Sequence, residues 1–528
     1  MNWIYVSVAE LKGRSAMSSN KGVQDPDAPR VDLAEVLAAK AQTLDENRPE
    51  AVAKRAVTGH QTIRQNIGQL IDPGSFQEYG QLAEPAFKNL QGPADGLVMG
   101  TGTVSGFRVG FMGYDYTVHA GTQSIINHAK ADRFLQVVET LRLPLVLWAD
   151  GGGWRPYENN INSRDYEETF AMMARLSGLV PTVGVVSGRC FAGNANLAGL
   201  CDTLIATAKA AMGMGGPPLV EAALGLTLTP EELGPAEMHE ACGAIDVLVT
   251  DEQEAIDCVK RYLEYFRDAG GQPGPDPDTS VLRNVVPENP RRAYDVRKVI
   301  EGIADQGSVL ELRPKFARSV VTALAKVQGT PVGVLANQPM FLAGAIDSPA
   351  SDKLARFIQL CDAHDIPMLY LCDTPGLMVG PEAEATALVR HSSRILNAAI
   401  NATTPFMTVI LRKAYGLGQY MMGALPLRPA LLVGWPTAEF GAMGFEGAVK
   451  ITHKKELEAI ADKKTRLARE RELADELRAH NTALGLAGRY ELDDVIDPAD
   501  TRETVIRFLV SLPPLAPRTG RKRTIDNW

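Results

Sequence analysis

Cysteine is scarce, and no cysteine has a partner at metal-binding spacing. The six stand at 190, 201, 242, 258, 361 and 372, with no CxxC pair and no histidine cluster around them. That excludes zinc fingers and ribbons, and no metal is expected. The natural expectation is reduced, mostly buried thiols in a cytoplasmic protein. Long apolar runs are also missing: no stretch of about 18 consecutive apolar residues occurs, so no membrane-spanning helix is expected. The opening residues lack a basic segment before a long apolar core, which argues against a secretory leader. Charge of one sign is not in large excess. The formal net charge is −9, which disfavours nucleic acid as a partner. Arg518, Arg521, Lys522 and Arg523 read as a solvated tail.

The usual side-chain chemistries are absent too. There is no GxSxG elbow, no GxxxxGK[ST] loop and no HxxxH pair, which removes the commonest signatures of serine hydrolases, P-loop enzymes and zinc proteases. The stretch GTGTVSG at 100–106 lacks GxGxxG spacing and reads as a turn between strands. His128 is expected on an exposed helix face, with a phosphate contact as the minority reading. Asp150 and Asp373 end matching apolar segments and are expected to cap the turns that follow.

What the chain does contain is a repeat. PTVGVVSGRCFAGN from Pro181 aligns without a gap on PFMTVILRKAYGLG from Pro405 (405 − 181 = 224). LPLVLWADGGG aligns with IPMLYLCDTPG through Asp150 and Asp373 (373 − 150 = 223). ADRFLQVVETL matches SDKLARFIQLC, and GMGG at Gly213 matches GAMG at Gly441. Several segments in one order with a slowly drifting offset imply two homologous α/β domains. The expected layout is an extension over 1–30 expected to be disordered, a first domain over 31–270, a linker over 271–285, a second domain over 286–515 and a basic tail over 516–528. The segment 455–480 (KELEAIADKKTRLARERELADELRAH) has helical periodicity, with Leu457, Ile460, Leu467, Ala474 and Leu477 on one stripe. It is expected either to pack on the body or to project, forming a dimer contact or walling a cleft.

The stretch GRCFAGNAN after Pro181 carries the chemistry. A buried strand that ends in a glycine-rich turn and opens a helix presents unpaired backbone N–H groups. Such a turn suits a developing oxyanion, for example the enolate of a thioester. Gly193 and Asn194 align with Leu417 and Gly418, so one chain would carry two sister anion holes, the alternative being a pair of ordinary tight strand–helix turns.

The segments PVGVLANQPMFLAGAID (331–347), SDKLARFIQLCDAHDIPMLYLCDTPG (351–376), RKAYG (412–416) and WPTAEFGAMGFEGAV (435–449) resemble the carboxyltransferase (beta) component of biotin-dependent acyl-CoA carboxylases. RCFAGNANLAGLCD with GMGGPPLVEAALG is most similar to the long-chain, single-chain type. The resemblance runs from IDPGSFQEYG (71–80) to the basic tail. It implies two tandem crotonase (ClpP)-like domains with a charged C-terminal helix. The N-terminal domain would bind the acyl-CoA thioester and the C-terminal domain carboxybiotin, with the site between subunits of a homo-oligomer, usually a hexamer.

The resemblance also assigns residues. The backbone amides of Gly193, Asn194, Leu417 and Gly418 are the expected catalytic groups. Gly152, Gly153, Arg155, Phe191, Ala192, Gly215 and Gly216 are expected on the substrate side, and Arg412, Tyr415, Gly416 and Gly376 on the biotin side. Asn194 and Leu417 depart from the small residues usual there, which is expected to change the space above each hole. Arg155 and Arg412 match arginines that can hold a carboxylate, or else form surface ion pairs. The chain has no AMKM-like biotinylation motif, so a partner carrying biotin carboxylase and biotin carboxyl carrier parts is expected. A decarboxylase subunit of the same fold and a noncatalytic partner of a larger complex are the alternative readings.

Overall fold

A computed structural model of the chain describes residues 29–87, 89–155, 158, 168–267, 272–290, 292–514 and 523–528. The expectations for residues 1–28 and for Arg518, Arg521 and Lys522 lie outside the described residues. Segments such as Thr182–Val186 and Met368–Thr374 are buried along their whole length. Strands covered on both faces carry no polar alternation, which is why these read as continuous apolar runs.

The first sheet orders its strands Gln77–Tyr79, Leu97–Val104, Phe107–Tyr114, Leu145–Trp148, Thr182–Val186, Thr203–Thr207 and Val247–Val249. The second follows the same plan through Leu310–Leu312, Val320–Val327, Thr330–Asn337, Met368–Thr374, Phe406–Tyr415, Leu431–Gly434 and Asp494–Val495. In each sheet the first two pairings are antiparallel and the rest parallel. The sequence repeat is therefore a repeat of topology. GTGTVSG departs from its reading as a turn: Gly100–Val104 lie within a strand, and only Ser105 and Gly106, both at positive φ, make the hairpin turn. Two central residues at positive φ twist a tight hairpin in the sense its strands require.

The halves share buried devices that composition alone does not reveal. The helices Ile125–Leu141 and Ser348–Ala363 start alike, with Ser124 and Asp347 side chains accepting from the N–H of Asn127 and Ala350. Each helix then buries a lysine. Lys130 donates to the carbonyls of Ala94 and Leu97. Lys353 donates to Arg313, Phe316 and Val320 at 2.9–3.0 Å. Burial pushes Lys353 down to about 7. The three carbonyls oppose this, because a neutral amine has only two N–H groups to serve them. Lys353→Met takes a charged donor from all three, although Arg313 keeps the Phe316 N–H, so thermal unfolding of that variant is expected to show a loss of about 3 kcal/mol.

The halves are also tied across their seam. Arg313 pairs with Asp246 at 2.8 Å with both side chains buried, and Arg356 donates to the carbonyl of Asp202. Residues 523–528 run along this seam, with Ile525 buried and Thr524, Asp526, Asn527 and Trp528 exposed. Arg523 pairs with Asp362, Ile525 is buried and donates to Ser177 at 2.9 Å, and Trp528 Nε1 donates to Asp352 at 3.2 Å. The expectation of a solvated tail thus fails at Arg523. Buried Ile525 and the bonds to Asp362 and Asp352, both on the helix Ser348–Ala363, hold it there.

The charged C-terminal segment is two helices, Lys454–Ala459 and Lys463–His480. Asp462 caps the second, accepting from Thr465 N–H at 2.7 Å, which breaks the single helix the periodicity suggests. Leu457 and Ala474 are buried with Tyr415, Phe445, Val449 and Leu473 in a small separate core, while Leu467 is exposed. The helix Lys463–His480 walls a cavity of about 800 Å³ together with Arg412, Lys413 and Tyr415.

Candidate active site

In the first half the strand Thr182–Val186 ends at Ser187–Gly188, and Asp150 serves that turn. Its Oδ1 accepts from the N–H groups of Ser187 and Gly188 at 2.8 and 3.0 Å, while Oδ2 accepts from the Ser187 hydroxyl and Arg55. Capping is thus its observed work. The chain then runs as Arg189–Phe191 beside Ala211–Gly213, and Ala192 N–H donates to the Gly213 carbonyl. Ala192 takes φ 53°, ψ −123° and turns the chain into the helix Gly193–Gly199. The first N–H groups of a helix have no partner within it. Among the described residues nothing accepts from Gly193 or Asn194 N–H.

Crowding explains the glycines. A Cβ on Gly193 would lie 2.1 Å from Gln123 Oε1. One on Gly153, which sits at φ 80°, would lie 2.7 Å from the Ala192 Cβ. Asn194 corrects the expectation of altered space above the hole, because its side chain is fully buried and points inward. Its Oδ1 accepts from Gly153 N–H at 3.0 Å and its Nδ2 donates to the Gly121 carbonyl at 3.3 Å. The asparagine is a clamp beneath the hole, so the substitution gives no support to a noncatalytic role.

Around this turn the fold gathers Gly152, Gly153, Phe191, Ala192, Gly193, Gly215 and Gly216; Gly216 lies against the Phe191 ring. Arg155 is not at the opening. It is fully buried, pairing with Asp95 at 2.8 Å and Glu158 at 2.9 Å. His128 is buried as well, not on an exposed face. It stacks on Trp154 at 5.8 Å and bonds Thr169 at 2.8 Å. Burial pushes its imidazole down to about 4 from the ordinary 6.5. On acidification the unfolded chain takes this proton first, so stability falls as pH drops through that interval. His128→Phe is expected to flatten the fall, as read from urea unfolding at neutral and acid pH. Cys190 and Cys201 are buried thiols whose ionisation burial pushes upward. Among the described residues no cluster of three or more metal-ligating side chains forms.

The second half repeats the geometry on one continuous strand. Phe406–Tyr415 runs straight into the helix Gly416–Met421. Asp373 accepts from Arg412 Nε at 3.0 Å and Lys413 N–H at 3.2 Å. Arg412 is a buried ion pair rather than a surface one, although it still lines the cavity beneath the helix Lys463–His480. Nothing among the described residues accepts from Leu417 or Gly418 N–H. A Cβ on Gly418 would lie 2.7 Å from Gly376 Cα, which brings Gly376, Tyr415, Gly416 and Gly418 together. The Leu417 side chain is 53% exposed at the rim. Sequence reasoning passed over Glu439, whose carboxylate accepts from the Tyr415 hydroxyl. It also passed over Gln123, Asn337 and Arg478. Glu439 stands within WPTAEFGAMG, but only its packing singles it out.

Two sister α/β units, each ending a central strand in a turn with free amides, define the crotonase class. The profile of the carboxyl transferase domain family matches residues 54–513, and the chain belongs to that family. It is 34% identical to the methylmalonyl-CoA carboxyltransferase 12S subunit of Propionibacterium freudenreichii subsp. shermanii, over 90% of this chain and 93% of that one. It is 32% identical to the propionyl-CoA carboxylase beta chain of Saccharopolyspora erythraea, over 94% and 96%. A single-chain, multi-domain long-chain acyl-CoA carboxylase structure matches with TM-score 0.85 and 45% identity over 91% of this chain, which spans 49% of that longer one. The hexameric transcarboxylase 12S crystal structure with methylmalonyl-CoA bound matches with TM-score 0.85 and 32% identity, over 94% of this chain and 99% of that one. Among the described residues no helix is long and apolar enough to cross a membrane.

Proposed function

We propose that this chain is the carboxyltransferase component of an acyl-CoA carboxylase, placing a carboxyl group on the carbon next to, or conjugated with, the thioester carbonyl. It is a biotin-dependent acyl-CoA carboxyltransferase. The observation that carries this reading is the pair of sister turns, each with two consecutive N–H donors that have no acceptor of their own. Gly193 and Asn194 N–H hold the thioester oxygen as it gains charge when the α-proton leaves. Gly152, Gly153, Phe191, Ala192, Gly215 and Gly216 shape the surroundings of that oxygen. Leu417 and Gly418 N–H hold the ureido oxygen of biotin, with Gly376, Tyr415 and Gly416 beside them. Neutral amide donors with no competing acceptor suit that oxygen, and a cavity of about 800 Å³ is lined by Tyr415 just before them. Biotin, when bound, supplies the carboxyl group and the nitrogen that takes the proton.

Backbone donors in a water-poor turn stabilise charge without reorganising, which is why no acidic or basic side chain is required of this chain. Arg155 and Arg412 act through structure, as buried counter-charges to Asp95, Glu158 and Asp373.

The biotin arrives on a partner carrying biotin carboxylase and carrier parts. The catalytic centre forms where the first half of one copy meets the second half of another, in a hexamer. We further place the division between the halves in the linker at 271–285 and the protein in the cytoplasm; the six free cysteines, five of them buried, support that compartment. The test is decarboxylation of malonyl-CoA-type thioesters with free biotin as acceptor, by the assembled oligomer. Release of the carboxyl group that depends on biotin is expected; none, with binding of the thioester intact, overturns the reading.

A further inference from the structure

We infer that Arg478, on the helix Lys463–His480, is a positioning residue for the second pair of amides, acting through Glu439 and Tyr415. The inference rests on the assignment of Leu417 and Gly418 N–H to the biotin side. Tyr415 is both the last residue of the strand Phe406–Tyr415 and the N-cap of the helix Gly416–Met421. Whatever fixes Tyr415 therefore fixes the direction of the next N–H groups. Its backbone is held on one side by the short strand Glu439–Gly441, which pairs in parallel with Lys413–Tyr415. Its hydroxyl donates to Glu439 Oε1. The other carboxylate oxygen of Glu439 accepts from Arg478 Nε at 3.3 Å. Arg478 also reaches Glu446 at 3.2 Å and Asp475 at 2.6 Å.

The aromatic contacts follow the same route. The Arg478 guanidinium lies 5.4 Å from the centre of the Phe445 ring, and that ring meets Tyr415 edge-on at 5.6 Å. Tyr415, Phe445, Leu473 and Ala474 share the small core that the helix closes. Glu439 is about nine-tenths buried, so without Arg478 it keeps a desolvated charge with the phenol as its one remaining side-chain donor among the described residues. The carboxylate then turns toward water in the adjoining cavity or takes up a proton, and either change releases the Tyr415 ring. A helix that looks like a solvated wall by its charge thus sets the geometry of a catalytic turn. In the first half the position matching Tyr415 is Phe191, which has no hydroxyl to make this linkage.

The experiment uses the assembled oligomer and two readouts. Hydrogen exchange of the amides at 416–421 is compared in wild type and Arg478→Met, and dissociation constants for free biotin and for an acyl-CoA are measured by calorimetry. Exchange at 416–421 is expected to quicken by about tenfold, the loss of one charge-assisted bond. Biotin affinity should fall by a similar factor while acyl-CoA affinity stays within about twofold. Arg478→Lys, which restores a charge but only a point donor, should recover part of both changes. Tyr415→Phe combined with Arg478→Met should be no worse than either alone, because both cut one chain of contacts. Unchanged exchange at 416–421, or equal weakening of both ligands, overturns the inference. If wild type binds acyl-CoA but no biotin, the biotin-side assignment fails, and the exchange comparison alone still decides whether Arg478 positions the turn.

Discussion

A Gly193→Pro variant is expected to transfer carboxyl groups about 100- to 1000-fold more slowly than the parent, the usual loss when one oxyanion donor is removed. Proline deletes the N–H itself. It also brings a Cβ into a place where Gln123 Oε1 would lie 2.1 Å away. Proline suits the first position of a helix, but it disfavours the φ 53°, ψ −123° backbone of Ala192 before it. The loss of rate should therefore come with a lowered thermal transition. Gly193→Ala separates the two effects, since it keeps the donor and adds only the crowding; it should lose less than the proline. A proline variant with full kcat would remove this turn from the mechanism.

The second large effect is on stability. Arg155→Met is expected to cost about 3–5 kcal/mol, because it strands Asp95 and Glu158 as buried carboxylates without their cation. Both ion pairs are fully shielded from water, and the Ser124 hydroxyl also donates to Asp95. Thermal unfolding should show the loss. KM for the thioester, measured on what remains folded, should not change. A raised KM with an unchanged melting temperature would instead return Arg155 to the ligand.

Much of the architecture was legible because a duplicated chain checks itself. PTVGVVSGRCFAGN and PFMTVILRKAYGLG each read as one strand and one turn, and the structure gives both the same strand–turn–helix form. The direction of side chains was not legible. Asn194 reads as an intrusion into the hole, but Gly151 leaves room beneath it, and a Cβ there would lie 2.2 Å from Asn194 Nδ2. His128 and Arg155 read as exposed or ligand-facing. Their partners Thr169 and Asp95 come from 41 and 60 residues away, and no local pattern signals such long contacts. The hairpin at Ser105–Gly106 was blurred by the glycines before it, which here serve the close approach of Phe76 and Ile71 to the strand.

The clamp under the first hole has a consequence for how these halves can be exchanged. Asn194 serves the Gly121 carbonyl from the helix Gly193–Gly199, whereas the matching carbonyl of Gly344 is served by Asn337, from the end of a strand. At the position matching Asn194 stands Gly418, pressed against Gly376, and at the position matching Asn337 stands Tyr114, whose hydroxyl accepts from Gln123. Each half has thus moved the same task to a different part of its own chain. Grafting 188–199 in place of 412–423 would drive an amide side chain into Gly376, and the reverse graft would leave Gly121 unserved. Such chimeras should melt earlier than the parent, a sign that the two copies have drifted past interchangeability while keeping one outline.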